Sequence, residues 1–349
     1  MRPPNGLRDD SVRNDATRGA KVLVEAVRIG ENAAMAILTL EWTAELPEHL
    51  WGGAITIGNF DGVHRGHQAL VQVAKRAGQP TITVTFDPPP GRLLFPGPAR
   101  QPLTSLEDRA RRLHDAGADH VVVLKTDAGL LSLSPEEFVE DVIVRLLHAK
   151  AVVEGADFHF GRGRAGDGAI LRTLGKTHGF EFLEISAVKL GGEPVSSSRV
   201  RTAITNGEVN VAEELLGRPF SARGTVVAGA RRGRTIGFPT ANLDGVETLL
   251  PKDGVYAVLV EADGRKYSAA ANIGPNPTFG ESARKVEVHL LDFAGDLYGQ
   301  SLNVDFIARM RDTRPFGGVQ ELVEQLEKDV ESARNLLDEK ALSSEPERQ

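Results

Sequence analysis

The sequence predicts an α/β protein in two parts: a domain built on a parallel sheet, then a small antiparallel β-barrel followed by a helix. Three observations support this prediction. Strand-like and helix-like segments alternate between Ile37 and Leu216, an order typical of βαβ units. Beyond Pro219 the strand-like segments follow one another closely, with turns between them, as in a small barrel. Apolar residues from Val319 to Leu337 then recur at helical spacing.

In the first part, a strand ending at Ile57 leads through a glycine-containing turn into a helix that starts near His67. Clusters of β-branched and apolar residues predict further strands at 81–86, 120–124, 151–153 and 181–188. Helical spacing predicts helices at 106–116 and 169–174. Ser134 precedes a proline and lies three residues before Glu137, which is the pattern of a capped helix start.

In the second part, alternating residues predict strands at 223–228, 255–261, 266–272, 285–293 and 301–307. Asp263-Gly264 is a hairpin signal between two of them. We therefore expect a first domain at 36–217 and a second at 218–341. Residues 342–349 are expected to form a polar tail.

Residues 1–35 are expected to form a disordered or loosely attached arm. Its arginines precede no apolar core, unlike a secretory signal, and Asp9, Asp10 and Asp15 are atypical of a transit peptide. Because the recognisable pattern begins just after Met35, we hypothesise that translation starts there. The intact mass of the native protein tests this hypothesis, and a full-length mass would contradict it.

Composition excludes several classes of function. Of 349 residues, 41% are hydrophobic and 26% are charged, as in ordinary globular proteins. The formal net charge of -7 argues against a protein that coats nucleic acid. Without cysteine, disulfides, thiolate catalysis and cysteine-bound zinc are excluded, and a cytoplasmic location is expected. No apolar run approaches the roughly 20 residues that span a bilayer, so no membrane partner is expected.

The turn after the first strand is a candidate phosphate site. Its sequence is Gly58-Asn59-Phe60-Asp61-Gly62-Val63-His64-Arg65-Gly66-His67. A helix start preceded by glycines offers backbone N–H groups and the positive end of the helix dipole to a phosphate. His64 and His67, three residues apart, can share one face there and donate hydrogen bonds to phosphoryl oxygens as charge develops. The alternative is a buried histidine pair that packs the helix cap.

A second candidate phosphate site is Ser196-Ser197-Ser198-Arg199-Val200-Arg201. Hydroxyl groups at a helix start, followed by arginine, suit anionic oxygens because the guanidinium fork matches phosphate geometry. Alone, the pattern more often marks an ordinary serine-capped helix with surface arginines.

Two segments are candidates for binding a flat heterocycle. They are Phe86-Asp87-Pro88-Pro89-Pro90 and Gly155-Ala156-Asp157-Phe158-His159-Phe160-Gly161. Rigid prolines and an aromatic ring can form a slot for such a ring system. From the residues alone, a turn beside core phenylalanines is the default interpretation of these segments.

The second domain carries a glycine-rich loop, Gly233-Arg234-Thr235-Ile236-Gly237-Phe238-Pro239-Thr240-Ala241-Asn242. Glycines let backbone N–H groups approach phosphates, and the oxygens of Thr240 and Asn242 are hard donors suited to Mg²⁺. A glycine-rich β-loop with an Asx turn is the alternative. Further along the chain, strand alternation places Glu287 on the face opposite the valines on either side of it. The ordinary interpretation of an exposed glutamate on a strand is a solvated side chain without a specific role.

These motifs resemble, in order and spacing, those of the bacterial bifunctional riboflavin kinase/FAD synthetase family, over roughly residues 36–330. The first turn is similar to the family's Gly-x-Phe-Asp-Gly-Val-His-x-Gly-His form of the nucleotidyltransferase motif. The serines resemble its Ser-Ser-Thr/Ser-x-x-Arg motif, and the barrel loop its Gly-Phe-Pro-Thr-Ala-Asn signature. Two positions depart from the family: Pro89 stands in place of a histidine, and Asn276 stands where arginine is frequent.

The resemblance implies a Rossmann-like nucleotidyltransferase domain followed by a riboflavin kinase barrel. It implies the catalytic residues His64, His67, Arg199 and Glu287. It implies nucleotide binding by Gly58, Phe60, Asp61, Gly66, Ser196, Ser197, Ser198, Arg201, Gly233, Arg234, Gly237 and Pro239. It implies flavin binding by Pro88, Pro90, Asp157 and Phe160, and Mg²⁺ binding by Thr240 and Asn242.

The implied chemistry is FAD synthesis in two steps. In the barrel, Glu287 is the base for ATP-dependent phosphorylation of riboflavin to FMN. In the first domain, a second ATP, bound across His64, His67 and the serine–arginine motif, adenylylates FMN to FAD and releases pyrophosphate. The partners are small flavin and nucleotide molecules, and the sequence leaves a homo-oligomer open. Two alternatives remain: a nucleotidyltransferase with another phosphorylated acceptor, and a non-catalytic flavin- or nucleotide-binding regulator.

Overall fold

The computed structural model describes residues 22–29, 33–95, 97–98, 100–229, 232–262, 264–276 and 281–344. The chain divides into two compact units. The first contains the chain up to Phe60 together with His67–Ala99 and Glu107–Ala187. The second contains Asp61–Gly66, Arg100–Leu106 and the chain from Val188 onward. This division differs from the expected boundary near residue 217, because the segment from Val188 to that point belongs to the second unit.

A seven-stranded sheet forms the centre of the first unit. Its strands are β1 (Val22–Ile29), β2 (Ala33–Leu40), β3 (Ala54–Ile57), β4 (Thr81–Asp87), β5 (His120–Lys125), β6 (Ala151–Gly155) and β7 (Glu181–Ile185). They lie in the order β1-β2-β5-β4-β3-β6-β7. All neighbouring pairs are parallel except β1 and β2 at the edge. The predicted parallel sheet is confirmed.

Helices flank this sheet, and those predicted near His67, at 106–116, after Ser134 and at 169–174 are among them. They are α1 (Arg65–Ala77), α2 (Pro90–Leu94), α3 (Leu106–Asp115), α4 (Ala128–Ser132), α5 (Pro135–Phe138), its π-helical continuation Val139–Leu146, and α6 (Gly168–His178), with 3-10 turns at Glu48–Leu50 and Arg162–Arg164. Ser134 and Glu137 form the predicted capping box of α5. Asp167 caps α6 by accepting a hydrogen bond from the Ile170 amide at 3.0 Å.

Both faces of the sheet are covered. Ile82 and Val84 of β4 belong to a large apolar core that also contains Ile55, Ile57 and Val152. The threonines of β4, at alternate positions on the opposite face, are fully buried as well. Burial of both faces explains why these strands read as continuous β-branched runs rather than as an apolar–polar alternation.

The second unit is built on a closed six-stranded barrel with strand order β10-β11-β14-β13-β12-β15. The strands of this unit are β8 (Lys189–Leu190), β9 (Glu193–Pro194), β10 (Phe220–Val227), β11 (Ala241–Asp244), β12 (Gly254–Ala262), β13 (Arg265–Asn276), β14 (Glu281–Leu290) and β15 (Ser301–Arg311). Its helices are α7 (Ser197–Asn206), α8 (Val209–Leu216), α9 (Arg232–Thr235) and α10 (Val319–Ser344). The barrel pairs are all antiparallel, so the predicted barrel and its C-terminal helix are confirmed.

Apolar side chains fill the barrel. Tyr256, Val258, Val288 and Phe306 are fully buried, and the edge of the Tyr256 ring meets Phe306 with 5.4 Å between ring centroids. Residues of α7 and α8, including Ile204, belong to the same core. Because side chains alternate along each strand, the polar residues of the barrel point outward.

Helix α10 is anchored to the barrel by a paired charge. The Arg311 guanidinium donates two hydrogen bonds to the Asp329 carboxylate, at 2.8 Å and 2.6 Å. The Asp329 side chain is 6% exposed. Nearby, Ala333 and Leu337 of α10 pack in one apolar cluster with Ala257.

Replacement of Asp329 by alanine is expected to lower the free energy of unfolding by about 3–5 kcal/mol, because a partly buried guanidinium loses its bidentate partner. Urea unfolding of the full chain measures this change. The control is Asp292→Ala, which removes the exposed ion pair of Asp292 with Arg334 on the same helix. Equal destabilisation by both substitutions would contradict the prediction.

Parts of the two expected chain ends lie in regular elements. Residues 22–29 and 33–35 lie in the β1–β2 hairpin rather than in a loose arm; residues 1–21 and 30–32 lie outside the described residues. The β1 sequence is rich in valine and isoleucine, and pairing with β2 satisfies its backbone. Residues 342–344 continue α10 rather than forming a tail, and 345–349 lie outside the described residues. Ala341 and Leu342 favour continuation of the helix at this point.

Three short strands, β8, β9 and β11, are absent from the sequence prediction. Each has two to four residues, too few to show an alternating pattern. Asp263 of the expected hairpin turn lies outside the described residues, but the flanking Ala262 and Arg265 are paired. Among the residues described, no helix has both the length and the apolar character needed to cross a membrane.

Candidate active sites

The turn after β3 starts at the carboxyl edge of the parallel sheet. The Gly58 amide donates to the Val84 carbonyl at 2.9 Å and so keeps the chain on the line of the strand. Phe60 then adopts a positive φ of 47° and is buried. A Cβ on Gly58 would lie 3.3 Å from the Phe60 ring. The ring of His67 meets Phe60 edge-on, with 5.1 Å between centroids. The aromatic ring therefore supports one of the two predicted catalytic histidines.

In the second unit, Asp61 organises the segment that carries the other histidine. Its Oδ1 accepts hydrogen bonds from the amides of Leu103 (2.8 Å) and Thr104 (3.3 Å). Its Oδ2 pairs with the Arg201 guanidinium at 2.8 Å. The Gly62 amide donates to the Thr104 hydroxyl at 3.2 Å. Asp61 thus has an extensive structural role, whatever contact it makes with a nucleotide.

His64 is buried beside a glycine that the motif requires. A Cβ on Gly66 would lie 3.1 Å from the His64 ring, so a larger residue there would push against the imidazole. Gly62 has a φ of 84°, and a Cβ at that position would lie 2.9 Å from the Leu103 side chain. The positive φ of Gly62 favours glycine there, and a side chain at position 66 would require the His64 ring to shift by a few tenths of an ångström.

The serine–arginine motif forms the start of α7. The Ser196 hydroxyl caps the helix by accepting a hydrogen bond from the Arg199 amide at 3.3 Å. The Ser197 hydroxyl donates to the Asp61 carbonyl at 2.8 Å, and Ser198 is exposed. The predicted helix start is correct, and Ser197 ties it to the Asp61 segment.

The two arginines of the motif have different partners. The Arg199 guanidinium donates to the carbonyl oxygens of Glu193 and Pro194, both at 2.9 Å, in the β8–β9 hairpin. The Arg201 guanidinium contacts Asp61 and also donates to the Gln101 carbonyl at 2.6 Å. Of the two, Arg201 is the one joined to the first motif.

The two candidate flavin segments follow β4 and β6, the two neighbours of β3 in the sheet. They therefore leave the same edge as the turn after β3. Pro90 opens α2, and Pro88 is partly exposed. Asp157 is exposed, whereas Phe160 is buried and packs against Phe138 with 5.5 Å between ring centroids. Phe160 thus belongs to the core, in agreement with the alternative interpretation of this segment.

One polar residue at this edge is not identified from the sequence. Glu154, near the end of β6, is 2% exposed, and its Oε1 accepts a hydrogen bond from the Ile57 amide at 2.6 Å. Burial raises the pKa of Glu154 well above its usual value, and the hydrogen bond from Ile57 offsets only part of this effect. The available signal was a lone acid in an otherwise apolar strand, Ala151-Val152-Val153-Glu154.

In the barrel, three polar residues form a row across adjacent strands. Asn242 on β11 pairs in register with Glu287 on β14, and Glu287 pairs with Asn272 on β13. All three are partly exposed, whereas their neighbours along the strands, such as Val286 and Val288, are buried. The row therefore lies on the outer face of the barrel. Asn272 is the member that has no predicted role.

The glycine-rich loop leads into this row. The Gly233 carbonyl accepts hydrogen bonds from the amides of Ile236 (3.2 Å) and Phe238 (2.8 Å). A Cβ on Gly233 would lie 2.2 Å from the Phe238 carbonyl oxygen, so only glycine fits. His289 holds the far side of the loop, with its Nδ1 at 2.7 Å from the Pro239 carbonyl oxygen. Arg234, Gly237, Pro239 and Thr240 are exposed.

The residues present fit the predicted Mg²⁺. Among the described residues, no cluster of three or more histidine, cysteine or acidic side chains could form an all-protein metal site. Mg²⁺ typically uses one or two protein oxygens together with substrate phosphates. The exposed Thr240 hydroxyl and the Asn242 carbonyl provide such oxygens. A Cβ on Gly229 would lie 2.3 Å from the Asn242 side-chain nitrogen, so a glycine is required beside this amide.

Comparison with known proteins gives two family matches. The riboflavin kinase model matches residues 216–337, and the FAD synthetase model matches residues 46–199. The two ranges together cover most of the chain and follow the order of the motifs described above.

Named relatives and a solved structure agree with these matches. The chain is 40% identical over 288 residues to the bifunctional riboflavin kinase/FMN adenylyltransferase of Escherichia coli (strain K12), covering 81% of this chain and 92% of that protein. The Pseudomonas fluorescens enzyme of the same description is 41% identical over 297 residues, covering 83% and 94%.

A crystal structure of a macrolide-efflux protein from Streptococcus pneumoniae has a TM-score of 0.77 and 34% identity to this chain, covering 85% of it and 99% of that protein. The match therefore includes sequence from both units. With both catalytic domains matched and full-length relatives at this identity, the chain belongs to the family of bifunctional riboflavin kinase/FMN adenylyltransferases, which make FAD from riboflavin through FMN.

Proposed function

We propose that the outer row of the barrel is the riboflavin kinase site, with Glu287 as the general base. Glu287 takes the proton from the terminal ribityl hydroxyl, whose oxygen then attacks the γ-phosphorus of ATP; ADP leaves and FMN forms. The observation that carries this proposal is the register of Asn242, Glu287 and Asn272, which places a carboxylate between two amides on one face.

The glycine-rich loop would hold the ATP phosphates beside this row. Gly233 and Gly237 leave backbone N–H groups accessible, and Arg234 adds a positive charge. Thr240 and Asn242 would hold Mg²⁺, which neutralises phosphate charge when it is bound. Since the barrel interior is filled by side chains such as Tyr256 and Phe306, riboflavin would bind on the outer wall.

For the second reaction, we propose that His64 and His67 stabilise charge on the α-phosphoryl group of ATP. The phosphate of FMN attacks the α-phosphorus, and pyrophosphate leaves. We assign the phosphate-binding arginine of the serine motif to Arg201, because Asp61 holds it against the signature turn. Arg199 instead donates hydrogen bonds to carbonyl oxygens of the β8–β9 hairpin. It would contact ATP only after giving up these hydrogen bonds.

Pro88, Pro90 and Asp157 would contact the flavin in this second reaction, because the segments that carry them leave the sheet on either side of β3. Phe160 would support this site from the core instead of touching the ligand. We also propose that the protein is located in the cytoplasm and that it acts on small molecules rather than on nucleic acid.

The experiment that tests these proposals separates the two products. The full chain is incubated with riboflavin, ATP and Mg²⁺, and the flavins are resolved by chromatography; a second reaction starts from FMN. FMN and then FAD are expected from the first reaction, and FAD from the second. Omission of Mg²⁺ should suppress FMN formation. Kinase turnover that is unchanged without Mg²⁺ would contradict the role of Thr240 and Asn242.

A further inference from the structure

The parallel sheet is split between the neighbouring strands β3 and β6. Strands β3 and β6 pair only at Ala54–Ala151 and Ile55–Val152. Beyond this point β3 continues to pair with β4 as far as Ile57, and β6 continues to pair with β7 as far as Gly155. The two strands therefore separate over their last residues while each remains bound to its outer neighbour.

This split lies where the direction of the strand order reverses. From β3 the chain moves through β4 to β5 on one side of the sheet, and then crosses to β6 and β7 on the other side. In open α/β sheets, the crevice at such a reversal, outside the carboxyl ends of the strands, is where ligands bind. The chain leaving β3 enters the His64–His67 turn, and the chain leaving β6 enters the Asp157 segment.

Glu154 bridges the split. The Ile57 amide has lost the backbone partner that β6 would have supplied, and the Glu154 side chain accepts its hydrogen bond at 2.6 Å. Glu154 is 2% exposed, and among the described residues no cation is one of the groups that shift its pKa. A buried carboxylate without a cation is costly, whereas a neutral carboxylic acid can make the same bond at much lower cost.

The charged neighbours of Glu154 also favour its neutral form. Asp157, in the segment that follows β6, raises the pKa of Glu154 further. Glu184 on β7 is its registered neighbour and forms an ion pair with Arg172 of α6 at 3.2 Å, so that arginine is already neutralised. Strand β3 and its turn contribute no ionisable side chain between Ala54 and Phe60. Asp167 is engaged as the cap of α6.

We propose that Glu154 is a positioning residue for adenylyl transfer: its hydrogen bond with the Ile57 amide bridges the split and holds the end of β3, and hence Gly58 and Phe60. This inference rests on the proposed site of adenylyl transfer at this edge of the sheet. Burial favours the protonated form of the Glu154 carboxyl group by raising its pKa. Ionisation of Glu154 at high pH is therefore expected to disturb the end of β3 and to slow FAD formation, and to leave FMN formation unaffected.

The test compares three variants of the full chain from neutral to alkaline pH. Glu154→Gln keeps a neutral hydrogen-bond acceptor for Ile57, and Glu154→Leu removes it. Glu184→Gln is the matched control, because it changes the neighbouring acid on β7. For each variant, kcat and KM for FAD formation from FMN are measured, together with riboflavin phosphorylation by the same preparation and the thermal unfolding midpoint.

We expect Glu154→Gln to keep near-normal FAD formation at neutral pH and to lose the alkaline decline that the unmodified protein and Glu184→Gln show. Glu154→Leu should lower kcat/KM for FAD formation by about 10²-fold, since misplacement of a reacting group by about 1 Å has effects of this size. Its riboflavin kinase activity should be unchanged.

An alkaline decline that persists in Glu154→Gln would overturn the inference, even if Glu154→Leu fails to fold. Wild-type FAD formation by a folded Glu154→Leu would overturn it as well. A His67→Ala variant in the same assay distinguishes an error in the role of Glu154 from an error in the proposed adenylyl-transfer site. If His67→Ala loses FAD formation while both Glu154 variants behave as wild type, only the role of Glu154 is wrong.

Discussion

Replacement of Glu287 by glutamine is expected to lower the rate of FMN formation by about 10²–10⁴-fold, the range that general-base catalysis typically contributes. Glutamine keeps the shape of the side chain and its place between Asn242 and Asn272, but it cannot accept the ribityl proton. FAD formation from supplied FMN should be unchanged. Steady-state assays with riboflavin and with FMN, run on one preparation, measure both effects.

Glu261→Gln is the matched control for this experiment. Glu261 is an exposed acid on the outer face of β12, in register with Asn303 of β15, and it lies outside the Asn242–Glu287–Asn272 row. Its replacement should leave both activities at wild-type levels. If Glu287→Gln keeps full kinase turnover, Glu287 is not the base, and another group on the outer wall must be sought.

Replacement of His67 by alanine is expected to have the opposite selectivity. Removal of one preorganised donor to a developing negative charge typically costs about 10²–10³-fold in kcat, so FAD formation should fall by this factor. Riboflavin phosphorylation should continue normally, because the proposed kinase site lies in the barrel. Separate assays from FMN and from riboflavin, with determination of kcat and KM, test this prediction.

His178→Ala serves as the control for His67→Ala. His178 lies in the last turn of α6, away from every motif, and its loss should change neither activity. Because His67 also contacts the Phe60 ring, the unfolding midpoint of His67→Ala should be compared with that of the unmodified chain. Loss of both activities together at an unchanged midpoint would contradict the assignment of the two reactions to separate sites.

Strong local patterns made much of the fold predictable. The β-branched run of β4 and the capping box at Ser134 each specify one local structure, and both appear as predicted. The barrel was predictable because its strands are long enough for alternation to be visible. Strand β11, with only four residues, reads as part of a glycine-rich loop, since its strand character depends on pairing with β10 and β14.

Features that depend on distant parts of the chain could not be read from the sequence. The β1–β2 hairpin is stabilised by its position beside β5, and its own sequence did not reveal that neighbour. The same reasoning applies to Glu154. A single acid in an apolar strand does not disclose that β3 and β6 separate at that level, nor that an amide of β3 is left for the acid to bind.

The candidate sites show where motif reasoning succeeds and where it stops. Residue types and spacing identified the turns correctly, because glycines such as Gly66 and Gly233 are fixed by close contacts within the turn itself. The order of Arg199 and Arg201 along the helix did not reveal which one contacts Asp61, since this depends on how α7 is rotated. Likewise, Phe160 could not be assigned to core or ligand without the positions of Phe138 and Phe158.

The filled barrel has a practical consequence for engineering. Side chains that keep it folded, such as Tyr256 and Phe306, point into its centre, while the residues proposed to meet the vitamin project from its wall. Libraries that alter the wall can therefore search for acceptance of unnatural flavin analogues without eroding thermal robustness.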